Sequence, residues 1–260
     1  TTWQGIGADT RVYLRPLTAL PGIANSANQF ELIAAAAGQE TRTRLDRADL
    51  VDGASQTGRA LQQRILALLV RIEAARVPVC GLGMDRPRIM GVLNVTPDSF
   101  SDGGKNFDCG TAIAAAIDMR DAGADIIDVG GVSTRPGSSA PSEAEELDRV
   151  MPVIEALAGA GVVVSVDTRR AAVMIAALEM GAKIINDVSA LTADSDSLNV
   201  AARYAAPVVL MHMQGTPETM QEAPMYDHVA LDIFDYLEGR IAACEAAGIA
   251  RHRLIVDPGI

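Results

Sequence analysis

The sequence predicts an α/β protein. Its architecture is a (β/α)8 TIM-type barrel, C-terminally incomplete at about six of eight strand–helix units, with an N-terminal appendage. Three observations predict this. From residue 88 onward, short apolar runs alternate with Ala-rich helical segments, the pattern of buried parallel strands and the helices that cover them. Asn94, Asp128, Asp167, Asn186, His212 and Asp257 each stand at or just past the end of a different apolar run. An open doubly wound sheet gathers its site at one switch point, whereas a barrel collects residues from nearly every strand at one rim. The last run ends just before Ile260, so the pattern matches the first three quarters of a barrel.

Residues 1–87 read as a separate appendage without a chemical constellation. Residues 10–17 suit a short strand ended by Pro16, and 29–37 suit a helix closed by Gly38. Residues 41–52 are charged and expected to be exposed. The segment 58–76 is a stronger helix, because Leu61, Ile65, Leu68, Leu69 and Ile72 fall on one face.

The barrel segment, 88–260, begins with the most telling stretch, 88–104, RIMGVLNVTPDSFSDGG. Its first half is apolar and β-prone. Thr96, Pro97, Asp98 and Ser99 then bring polar groups and a fixed φ, and Gly103 and Gly104 supply backbone freedom. A buried strand that delivers a polar, Gly-containing loop at its C-terminal end is where α/β proteins carry their chemistry. Strands are expected at 89–93, 126–129, 162–166, 183–186, 208–211 and 254–256. Helices are expected near 110–122, 142–158, 169–180, 195–204 and 227–247. In the last of these, Val229, Ile233, Tyr236, Leu237, Ile241 and Cys244 recur at helical spacing.

Composition narrows the function classes. Hydrophobic residues make up 49% and aromatics 3% of the 260 residues, so the core must be aliphatic. The balance of 22 Lys and Arg against 33 Asp and Glu, net −11, disfavours a nucleic-acid surface but allows a locally positive pocket for a small anion. Cys80, Cys109 and Cys244 form no CxxC, as expected of reduced thiols in a cytoplasmic protein. His212, His228 and His252 lack metal-ligand spacing. No stretch suits a signal peptide or a membrane span.

The motifs LNVTPDSFSDGG (93–104), IDVGGVSTRPGS (127–138), SVDT (165–168), GAKIINDVSAL (181–191), LMHMQGTPETMQ (210–221) and DPG (257–259) occur in this order. Together they resemble the dihydropteroate synthases, a family of pterin-binding barrels, from residue 88 to the end. The resemblance implies a transferase of folate biosynthesis (EC 2.5.1.15). It would join 6-hydroxymethyl-7,8-dihydropterin pyrophosphate to p-aminobenzoate and release pyrophosphate.

By the same resemblance, Asp167, Asn186 and Asp257 read the pterin edge, with Val188 and Met211 as apolar walls. The chemistry suits the task, since a flat edge of N–H donors and ring acceptors needs carboxylates and a two-way amide on rigid strand ends. Taken singly, each of these side chains could instead cap the following helix. Asn94 is implied as a ligand to Mg2+, an ion that keeps waters and takes few protein ligands beside substrate phosphates. Asp167 would face the cation left when pyrophosphate departs, and Arg135 would hold the pyrophosphate; these are the implied catalytic residues. Thr96, Asp98 and Phe100 on one loop, with Thr134, Arg135 and Pro136 on a second, would enclose p-aminobenzoate, the place where sulfonamides compete.

Val132 stands where the family commonly has Glu, and Ile260 where an aromatic is usual. The family's later lysine, arginine and histidine have no counterpart through Ile260. The isolated 260 residues are therefore expected to be inactive or unstable, and the full protein to be an active homodimer. A methyltetrahydrofolate-dependent methyltransferase and a non-catalytic pterin binder are the alternatives.

Overall fold

Six short apolar runs form one parallel sheet. The structure, a computed structural model, describes residues 3, 10–17, 29–36, 39–96, 109–132, 141–217 and 219–260. It divides into two units, one formed by residues 1–78 with 83–87 and the other by 79–82 with 88–260.

In the first unit, β1 (Arg11–Pro16), β2 (Gln29–Ala36) and β3 (Gln39–Asp46) make an antiparallel sheet in the order β1-β2-β3. Helices α1 (Arg47–Ser55) and α2 (Arg59–Glu73) follow. Ile65, Leu68 and Leu69 of α2 are buried as its spacing requires, and Ile65 and Leu69 share a core with Val12, Phe30, Leu32 and Leu50. The helix expected at 29–37 is instead β2. Its alanines favour helix, but Phe30 and Leu32 alternate onto the core, and the strand is paired on both sides. Tertiary pairing outweighs local propensity there. The charged stretch after it is mostly exposed, as strand β3 and the start of α1.

In the second unit the strands are β4 (Met90–Asn94), β5 (Ile126–Gly130), β6 (Val164–Asp167), β7 (Ile184–Asp187), β8 (Val208–Met211) and β9 (Leu254–Asp257). Every pair is parallel and the spatial order follows the chain. Among the described residues the sheet does not close: β4 and β9 are its edges, with Val92 57% and Val256 48% exposed. The expected barrel is thus realised as an open six-stranded parallel sheet, because no described strand pairs with either edge.

The connecting helices are α3 (Cys109–Asp121), α4 (Glu143–Gly159), α5 (Ala171–Met180), α6 (Ser197–Tyr204) and α7 (Val229–Ala246). Helix α4 opens with a reciprocal cap, in which the Glu145 backbone N–H donates to Ser142 Oγ and the Ser142 N–H donates to Glu145 Oε2.

Side-chain alternation divides the sheet into two faces. Leu93, Ile127, Val129, Val164 and Val166 pack with Ala112, Ala116, Val150 and Ile154 of the helices. Ile185, Val208 and Leu210 do the same with Met174 and Cys244. The other face is apolar only in its lower half, where Met90, Ile126, Ile184, Val209 and Ile255 meet Val79, Cys80 and Leu82. Its upper half, at the C-terminal strand ends, is polar.

Candidate functional site

The residues that follow the apolar ones by two along each strand point to the same face. Asn94 on β4, Asp128 on β5, Ser165 and Asp167 on β6, Asn186 on β7, Met211 on β8 and Asp257 on β9 therefore share it. Asp167 is the register partner of both Gly130 and Asn186, and Met211 is that of Asp257. A Cβ on Gly130 would lie 3.1 Å from Asp167 Oδ2, so the missing side chain leaves the space the carboxylate occupies.

Asp167 is the most perturbed of these groups, its pKa raised to about 7. Desolvation is the largest cause, followed by the negative charges of Asp128, Asp187 and Glu146, while Arg169 acts in the opposite direction. The side chain keeps some contact with solvent, yet its carboxyl is crowded enough to resist charge. It is not a helix cap. The N–H of Ala171 at the start of α5 donates to Asp194 Oδ2 at 2.9 Å, and that of Arg170 donates to Thr168 Oγ1 at 3.2 Å.

Asn186 is half-buried and its Nδ2 donates to Asp128 Oδ2 at 2.8 Å. Asp128 is 3% exposed, and burial raises its pKa, with Ser165 and Asn186 acting to lower it. Ser165, the register partner of Asp128 on β6, is fully buried beside it. Asp128 stands at a strand end in the sequence, and its role beside Asn186 is visible only in the fold. The available signal was a carboxylate inside the otherwise apolar IIDVG.

Asp257 Oδ1 accepts from the Gly259 N–H at 2.8 Å, and its carbonyl accepts from the His212 N–H at 2.9 Å. It therefore does local turn work on one oxygen. Gly259 has φ +70, and a Cβ there would lie 2.1 Å from the His212 carbonyl oxygen. Only glycine fits between the loops after β8 and β9. His212 is buried against the edge of Tyr236, with ring centroids 5.0 Å apart, and burial lowers its pKa. Val188 and Met211 are half-buried and Thr96 is buried. Asp98, Phe100, Thr134, Arg135 and Pro136 lie outside the described residues.

Beneath this rim, two further buried acids hold the loops. Asp187 Oδ1 accepts from the Ser189 N–H and hydroxyl, and Oδ2 accepts from the Leu191 N–H. Glu146 of α4 accepts from Thr168 Oγ1 at 2.6 Å and Arg170 Nη1 at 2.5 Å, tying α4 to the loop before α5. Val132 lines an open cleft of about 410 Å³ with Glu146, Arg169, Arg170 and Asp194.

No group of three or more His, Cys, Asp or Glu suited to a metal occurs among the described residues. Asn94, exposed at the end of β4, offers one hard amide oxygen. That suits Mg2+, which takes its other ligands from water and substrate phosphates. No helix among the described residues is long and apolar enough to cross a membrane.

A family model described as pterin binding enzyme matches residues 90–260. Dihydropteroate synthase of Escherichia coli (strain K12) is 51% identical over 179 residues, which cover 68% of this chain and 63% of that protein. That of Neisseria meningitidis serogroup B is 50% identical over 181 residues, with the same coverage. The chain thus spans 63% of the length of these curated relatives. Among solved structures, a Xanthomonas albilineans dihydropteroate synthase with 4-aminobenzoic acid is similar at 46% identity and TM-score 0.64, covering 72% of this chain and 67% of that one. A Yersinia pestis dihydropteroate synthase with a sulfonamide drug is similar at 49% identity and TM-score 0.64, covering 70% and 67%.

Proposed function

The chain belongs to the pterin binding enzyme family, and on that premise we propose that it carries the pterin site of a dihydropteroate synthase. In the reaction proposed, the bond between the pterin methylene carbon and the pyrophosphate oxygen breaks. The amine nitrogen of p-aminobenzoate bonds to that carbon and loses a proton, and pyrophosphate leaves. We read the six-stranded sheet as the greater part of a (β/α)8 barrel, a reading supported by its strand order and by polar groups at nearly every strand end. The observation that carries the functional reading is one shared face holding Asp167, Asn186 and Asp257 above an apolar floor. Relatives similar to this chain over 179 and 181 residues are dihydropteroate synthases.

In this reading Asp167, as an anion, accepts from pterin N–H groups and faces the positive charge that develops as pyrophosphate departs. Asn186 and the free oxygen of Asp257 complete the edge, while Met211 and Val188 flank the ring. Asn94 would hold Mg2+, which when bound would supply positive charge for the leaving phosphates. Thr96, Asp98 and Phe100 with Thr134, Arg135 and Pro136 enclose p-aminobenzoate and exclude water from the cation; Arg135 also holds the leaving pyrophosphate. Sulfonamides compete there. The enzyme works in the cytoplasm as a homodimer and takes small molecules, not nucleic acid.

Pyrophosphate release by the protein that contains this chain tests the proposal. Release should require the pterin pyrophosphate, p-aminobenzoate and Mg2+ together. Tight pterin binding without release would overturn it in favour of a non-catalytic binder.

A further inference from the structure

Asp128 is buried and accepts a hydrogen bond from Asn186. In a sheet, adjacent strands lie about 4.8 Å apart, and β5 and β7 are separated by β6. The two side chains thus reach over β6 to meet, with the fully buried Ser165, the register partner of Asp128, between them. A buried carboxyl with no cation beside it costs stability. Its presence is better explained by what it does to Asn186.

A carboxylate offers no proton, so only the Nδ2 end of the Asn186 amide can face it. The carbonyl Oδ1 must then point away from Asp128, and the amide loses its freedom to turn over. We propose that Asp128 is a positioning residue for pterin binding, which locks Asn186 so that Oδ1 and the second N–H are presented to the ligand edge. The proposal rests on the pterin reading given above. Asp128 touches no substrate in this scheme; it acts through Asn186, and preorganisation of the amide is what strengthens binding.

The test is a double-mutant cycle on the protein that contains this chain, with 6-hydroxymethylpterin as probe and calorimetry as readout. D128N keeps the volume but lets either end of Asn186 face position 128, and it should weaken binding about tenfold. N186A should weaken it as well. The double variant should bind within about twofold of N186A, since Asp128 has nothing left to orient. Additive losses would overturn the proposal, as would D128N binding equal to wild type.

A second measurement needs no variant. With the protein 13C,15N-labelled, the Asn186 side-chain amide, assigned through its own carbon chain, should show one proton protected from solvent exchange. Exchange as fast as that of an exposed amide would overturn the lock. If wild type binds no pterin, the functional reading falls and the proposal with it. Binding unchanged in D128N sinks the proposal alone.

Discussion

An ionised Asp167 is held where burial and three nearby acids oppose its charge. An ordinary Asp titrates at 3.8, and this one at about 7. Between those values the folded state binds a proton that the unfolded state has released. Stability from this group is therefore present at low pH, declines as pH rises from about 4 to about 7, and is level above. Asp167→Asn removes the charge, so it should raise Tm at pH 8 and leave Tm unchanged at pH 4; an equal shift at both would contradict the burial argument. Pterin binding should respond in the opposite sense. The ligand needs the anion as acceptor, so affinity should rise about tenfold per pH unit up to about pH 7 and then level off. Calorimetric titrations between pH 5 and 9 measure this, and in D167N the dependence should vanish along with most of the affinity. SVDT singles out Asp167 by resemblance, but its proton affinity is not legible there. That property depends on Asp128, Asp187 and Glu146, which lie on other elements.

Elements transmit this geometry through a few polar ties. Glu146, 1% exposed on α4, holds Thr168 and Arg170 just past the end of β6. Glu146→Ala should cost about 3 kcal/mol, because Arg170 and Thr168 lose a buried anion. Urea denaturation with an unchanged m-value would check it, and a loss below about 1 kcal/mol would mean that the tie is idle. The elements around it were largely readable in advance. Alternating apolar runs place all six strands of the parallel sheet to within about two residues, because each strand is short, buried and bounded by loop residues. The Ala-rich strand β2 has the local character of a helix, whereas its pairing with β1 and β3 is a tertiary fact. Asp128 was visible as a strand-end acid, whereas its bond to Asn186 crosses an intervening strand and leaves no spacing signal. The loops bearing Asp98, Phe100, Thr134, Arg135 and Pro136 were identified by resemblance and lie outside the described residues.

At the scale of the whole molecule, each of the two units has a core of its own. Leu69, 1% exposed, packs in the first with Phe30 and Leu50. Leu157, fully buried, packs in the second with residues of its helices and parallel sheet. Truncating either to Ala removes a buried side chain and leaves a cavity, a loss of about 3 kcal/mol in the unit that holds it. A ligand that binds only the folded second unit stabilises that unit by mass action, about 2.7 kcal/mol at a hundredfold excess over Kd. Calorimetric melting should therefore separate the two effects. Leu69→Ala should lower the transition that pterin does not shift, with pterin affinity unchanged within twofold. Leu157→Ala should lower the transition that pterin raises, and saturating pterin should recover most of the loss. A single transition displaced alike by both substitutions and by ligand would mean that the two cores unfold as one. The pterin site would then depend on the N-terminal unit for its stability, and a Leu69 substitution would impair binding at temperatures where a self-sufficient second unit would still hold its ligand.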